Sequence, residues 1–158
     1  MLSNQMPPTA RVWVYQANRL FTDAEKEIIK KETESFLHTW TSHQSDLPAS
    51  YELKYDLFLV LMADEAEVQA GGCSIDKSVH FIQSLGEKIN MNFMNRLLFA
   101  YKDESTIKTA PRKEFEKLVA DGIIRDETIV FNNLVGTKAE FDKQWEIPFY
   151  HSWHKQLI

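Results

Sequence analysis

Leu57-Phe58-Leu59-Val60-Leu61-Met62 is an apolar run with no polar residue alternating through it. A strand wetted on one face alternates, and one that does not is covered on both, so this run predicts a central strand with helices on each side of its sheet. It forms the second half of a strand read from Tyr51 to Ala63. The turn Asp46-Leu47-Pro48 leads into it, because the residue before a proline avoids helical angles.

Upstream, Arg11-Val12-Trp13-Val14-Tyr15-Gln16 alternates and is rich in β-branched and aromatic residues, which predicts a first strand. Residues 1–10, with Pro7-Pro8, read as an extended arm. Thr22 and Glu25 form a capping box, and Ala24, Ile28, Ile29, Phe36, Leu37 and Trp40 recur at helical spacing to about Ser42. Downstream, Asp64-Glu65-Ala66-Glu67 is a polar turn before a short returning strand, Val68-Gln69-Ala70. A second helix, capped by Ser74, carries Ile75, Val79, Ile82, Leu85 and Ile89 to about Asn90. Asn95–Tyr101 and Ser105–Thr109 read as a hairpin across Lys102-Asp103-Glu104. Pro111 opens a third helix with Phe115, Leu118 and Val119, which Asp121-Gly122 closes. Thr128–Phe131 is a further strand. Thr137 with Glu140 caps a fourth helix carrying Phe141 and Trp145, Ile147-Pro148 breaks it, and Phe149–Ile158 is a packed aromatic tail.

The order β-α-β-(β)-α-β-β-α-β-α predicts an α/β (or α+β) fold: a single domain over 11–158, with a mixed β-sheet of about five strands and helices packed on it. A chain of 158 residues, 44% hydrophobic and 26% charged, is within the range of one globular core. The net charge of −5, with no basic stripe, argues against nucleic acid. No apolar run is long enough to cross a bilayer, and neither a leader pattern nor a cysteine pair is present, so a cytoplasmic address is expected.

The polar residues suggest a site. Gly71-Gly72-Cys73-Ser74-Ile75-Asp76 places the only cysteine at a helix start, where backbone N–H groups and the helix dipole favour an anion or a thiolate. Gly71, Gly72, Ser74 and Asp76 are therefore candidate ligand-binding residues, and Cys73 is a candidate nucleophile. His80, at i+7 from Cys73, is about 10 Å away along the helix axis, too far to serve as its base. A base would come from His43 or His154, each beside a tryptophan near a helix end. Asn132-Asn133 leaves the C-terminal end of a strand, where α/β folds bind ligands. His43, His151 and His154 form no established metal-ligand pattern, so no metal or cofactor is expected. There is no Walker A motif, no G-x-G-x-x-G and no G-x-S-x-G.

Arg11–Gln16, Trp40 with His43, Gly72–Asp76, Phe131-Asn132-Asn133-Leu134 with Thr137-Lys138, and Ser152-Trp153-His154 together resemble a bacterial family of about this length often labelled "ABC transporter ATPase". That label implies nucleotide hydrolysis, for which the Walker motifs are missing. The resemblance implies no catalytic residue, but its shared segments coincide with His43, Cys73, Ser74, Asp76, Asn132, Asn133 and His154. Two functions are expected to compete. One is a domain binding a small polar or anionic ligand, or a protein partner, near the helix that starts at Ser74. The other is a thiol-dependent enzyme with Cys73 as nucleophile.

Overall fold

The computed structural model describes residues 2–42, 45–66 and 69–158. The chain runs β1 (Arg11–Gln16), α1 (Asp23–Thr39), β2 (Thr41–Ser42), β3 (Ser45–Asp46), β4 (Ala49–Lys54), β5 (Phe58–Ala63) and α2 (Gly72–Ile89). It continues through β6 (Leu98–Asp103), β7 (Thr106–Pro111), α3 (Arg112–Ala120), β8 (Ile129–Phe131), α4 (Lys138–Gln144), β9 (Glu146–Pro148) and α5 (His154–Leu157). The α/β class read from the sequence holds. The strands, however, fall into a three-stranded sheet, β1-β5-β4, and a four-stranded sheet, β7-β6-β8-β9, with β2-β3 as a separate ribbon. All of these pairings are antiparallel.

Every residue of β5 is buried, as its unbroken apolar run requires. Its two faces meet different layers. Leu59 and Leu61 lie in register with Tyr15 and Trp13 of β1. On that face Trp13 packs edge-on against Trp40 at 5.5 Å, and the Tyr51 hydroxyl donates to Glu34 Oε1 of α1 at 2.8 Å. On the opposite face Phe58 packs against Phe131 and Trp145, each at 4.9 Å between ring centroids. Helices thus cover one side of β5, and the second sheet covers the other. The far face of that second sheet carries Phe99, Tyr101 and Val130, which form a separate core with Phe115 of α3. The layers run helix, sheet, sheet, helix.

Several local expectations are corrected. The stretch read as one strand from Tyr51 is the hairpin β4–β5, turned through Tyr55 and Asp56 at φ values of 55° and 54°. No glycine marks that left-handed turn. Tyr55 is held by its ring contacts with Phe131 and Trp145 and by donating its hydroxyl to Glu146 Oε1. Residues 1–10 are not a free arm: Ser3–Gln5 is a 3-10 turn, Met6 and Ala10 are buried, and the Pro8 and Ala10 carbonyls accept from the first turn of α4. The returning strand expected at 68–70 is absent at Gln69 and Ala70, and Val68 lies outside the described residues.

α1 begins at the expected capping box, with Thr22 accepting from the Glu25 N–H at 3.1 Å. Inside it, Thr33 is fully buried and its hydroxyl has no hydrogen-bond partner among the described residues. An unsatisfied buried hydroxyl costs about 1–3 kcal/mol, and valine has nearly the same shape. Thr33→Val is expected to raise unfolding stability by about 1 kcal/mol in urea titration; unchanged or lowered stability would show that the hydroxyl is satisfied.

Candidate functional site

Between β1 and the first half of β6 lies a cleft of about 310 Å³, at the small end of the range for ligand sites. One wall is β1 from Val12 to Gln16, and the facing wall is Leu98 to Ala100. The segment Phe93–Arg96, the segment Asn133–Val135, and Trp153 with His154 complete the lining. β6 is in register with β8 at the single pair Tyr101 and Val130, and the first residues of β6 line the cleft together with β1.

Two amides of the cleft are tied into one chain. Gln16 Nε2 donates to the Leu98 carbonyl at 2.8 Å, linking the two sheets, and Gln16 Oε1 accepts from Asn133 Nδ2 at 2.9 Å. Asn133 Oδ1 accepts from the buried Trp145 indole at 2.9 Å. Neighbouring Asn132 accepts the Trp153 indole N–H at 3.0 Å, and its backbone N–H donates to the Trp145 carbonyl at 2.7 Å. These bonds fix both amides, so the loop leaving β8 presents a rigid polar wall.

His154 is 2% exposed. Its ring stacks on Trp153 at 3.8 Å, meets Phe99 edge-on at 5.0 Å, and shares a short hydrogen bond between Nδ1 and Ser152 Oγ. Nε2 has no hydrogen-bond partner among the described residues. Burial pushes the imidazole down to about 4, so it is neutral at physiological pH. An unfolded histidine titrates near 6.5. The unfolded chain therefore takes up a proton that the folded one refuses, and stability falls as pH drops through that window. Between pH 7.5 and 5 the loss from this one group is expected to be about 2 kcal/mol, and His154→Phe should remove that slope in urea titrations at the two pH values. A slope unchanged by the substitution would refute this assignment.

Two further residues give the cleft its charge character. Tyr15 is held above the usual phenol range by burial, against the opposing pull of Ser78 and Arg96 nearby. Arg96 is exposed at the cleft and has no carboxylate partner among the described residues. Met94 and Leu134, which are 38% and 69% exposed, add apolar side chains to the same lining. An uncompensated cation set in apolar surface suits an anionic group on an otherwise apolar molecule.

The structure brings together only part of the set expected from the sequence. Asn133 and His154 line the cleft, and Asn132 braces it from behind. Gly71, Gly72, Cys73, Ser74 and Asp76 do not line it. Gly71, not Ser74, is the cap of α2. Ser74 is buried in the first turn, with its hydroxyl donated to the Thr41 carbonyl at 2.8 Å and its own carbonyl accepting from the Trp40 indole at 2.9 Å. Cys73 and Asp76 are exposed on α2, and His43 lies outside the described residues. His151 is exposed while His154 is buried, so the two do not share a ligand face. Among the described residues, no three His, Cys, Asp or Glu side chains gather as metal ligands, and no helix is long and apolar enough to cross a membrane.

Gln16, Tyr15 and Arg96 were not singled out from the sequence. Gln16 carried a signal: it occupies the same phase of β1 as Val12 and Val14, where a buried position is normally apolar. No protein-family model, curated protein or solved structure matches the chain. The geometry by itself defines an α/β domain of two stacked sheets with a preformed, amide-lined cleft between their edges.

Proposed function

We propose that the protein is a non-catalytic binding domain that holds a small anionic ligand in the cleft between β1 and β6. The observation that carries this reading is the combination of a largely apolar cleft, the hydrogen-bonded amides of Gln16 and Asn133, and Arg96, which has no carboxylate partner among the described residues. The site is preorganised, because Gln16 and Asn133 already spend their hydrogen bonds on each other and on the frame, so little ordering is left to be lost on binding. Thiol chemistry gains no such support, since Cys73 does not share the cleft with His154.

Screening a fragment library by NMR tests the reading. Hits are expected to shift the backbone amides of Val14, Asn95, Arg96, Asn133 and Leu134 together. A library that yields no hits on these amides would remove the cleft as a ligand site.

A further inference from the structure

Resting on the reading of the cleft as a ligand site, we infer the chemical class of the ligand: a carboxylate joined to a secondary amide. This chemistry is shared by an N-acyl amino acid and by the C-terminal residue of a peptide. The inference comes from the backbone of β1.

β1 is an edge strand, paired on one side only, with β5. The Val12 N–H donates away from β5, to the Gly136 carbonyl at 3.0 Å, and the Ala17 N–H donates to the Leu57 carbonyl, on the β5 side, at 2.8 Å. Backbone groups alternate along a strand, so those of Val14 turn to the same free edge as those of Val12. The segment at Gly136 and Thr137 covers that edge as far as Val12, through the bridge between Arg11 and Thr137 and the Val12–Gly136 hydrogen bond. Val14 lines the cleft, and its N–H and C=O have no partner among the described residues. Backbone donors and acceptors in protein interiors are almost always paired, so an open pair on a cleft wall marks where a partner belongs.

A donor and an acceptor presented together by one strand residue match the in-plane N–H and C=O of an amino-acid residue, as in strand addition to a sheet edge. The ligand N–H is given to the Val14 carbonyl, and a ligand oxygen accepts the Val14 N–H. The carboxylate pairs with Arg96, which lines the same cleft and has no carboxylate partner among the described residues. The ligand side chain lies against the apolar wall at Phe99 and Leu134.

The test titrates the isotope-labelled full chain with four probes, following the Val14 amide by NMR. They are N-acetyl-L-leucine, N-acetyl-L-leucinamide, N-acetyl-N-methyl-L-leucine and acetyl-Ala-Ala-Leu. N-acetyl-L-leucine is expected to shift Val14. The amide, which lacks the charge, and the N-methyl compound, which lacks the N–H, should each bind at least about tenfold more weakly. Arg96→Gln should weaken N-acetyl-L-leucine by at least about tenfold and leave the amide unaffected. If acetyl-Ala-Ala-Leu binds more tightly than N-acetyl-L-leucine, the ligand is a chain terminus; if it binds equally or less tightly, the ligand is the free N-acyl amino acid. Equal binding of N-acetyl-L-leucine and its two analogues, or no binding of any probe while fragments still occupy the cleft, would overturn the inference and leave the ligand site standing. Failure of the fragments as well removes both.

Discussion

Trp145→Ala is expected to lower unfolding stability by about 3–5 kcal/mol, the range for removing a large buried aromatic, out of about 5–15 kcal/mol for a typical domain. The indole lies among Phe58, Phe131 and Phe141, with centroids 4.8–4.9 Å away. It fills the interface between the two sheets, where no flexible surface segment can collapse into the space it leaves. The substitution also strips Asn133 Oδ1 of its donor, so the amide that positions Gln16 loses its anchor. Trp145→Phe separates the two contributions: most of the packing returns, and the missing N–H should still cost about 1 kcal/mol. Urea titration of both variants measures this, and a Trp145→Ala loss below about 1 kcal/mol would mean that the cluster repacks.

Gly86→Ala is expected to be the second most damaging change, although alanine is the better helix former by about 1 kcal/mol. A Cβ at Gly86 would come within 2.4 Å of the Met91 carbonyl oxygen, a backbone atom that cannot rotate aside. The approach is close because α2 ends in a Schellman motif: Asn90 is left-handed, and the Met91 N–H donates to the Gly86 carbonyl at 2.8 Å. Overpacking of this kind costs about 1–3 kcal/mol net. Gly72→Ala is the control, since nothing lies within 4 Å of the Cβ it would add. Equal stability of the two variants would show that the α2 terminus yields without cost. The damage should extend to binding, because the segment pushed away leads directly to Arg96.

The sequence was most legible where one physical demand dominates. β5 could be read because burial on both faces forbids polar residues. The start of α1 and that of α4 could be read because their capping side chains, Thr22 and Thr137, bond as their spacing implies. The β4–β5 turn was hidden because its left-handed residues are a tyrosine and an aspartate held by tertiary contacts. β9 was hidden by Pro148, which a strand tolerates only at a sheet edge, as here. Ser74 was misread as a cap because its sequence position suits that role, while the fold assigns its hydroxyl to Thr41, far away in sequence. In the candidate site, the asparagine pair and His154 were legible as residue types beside recognisable elements. Gln16 and Arg96 act through neighbours brought in from distant parts of the chain, and no local spacing encodes that.

The edge position of β1 also has a kinetic consequence. β4 and β5 zip together across a three-residue turn, whereas Val14 must find Val60 from beyond α1 and that hairpin. Long-range pairings form only after the entropy of closing the intervening loop has been met. β1 is therefore a late strand to join its sheet and an early one to leave it. Along it, the Tyr15 amide, on the β5 side, should exchange its hydrogen slowly, and the Val14 amide, facing the open edge, quickly. A ligand that caps the edge would erase that alternation, making hydrogen exchange at Val14 a direct gauge of occupancy.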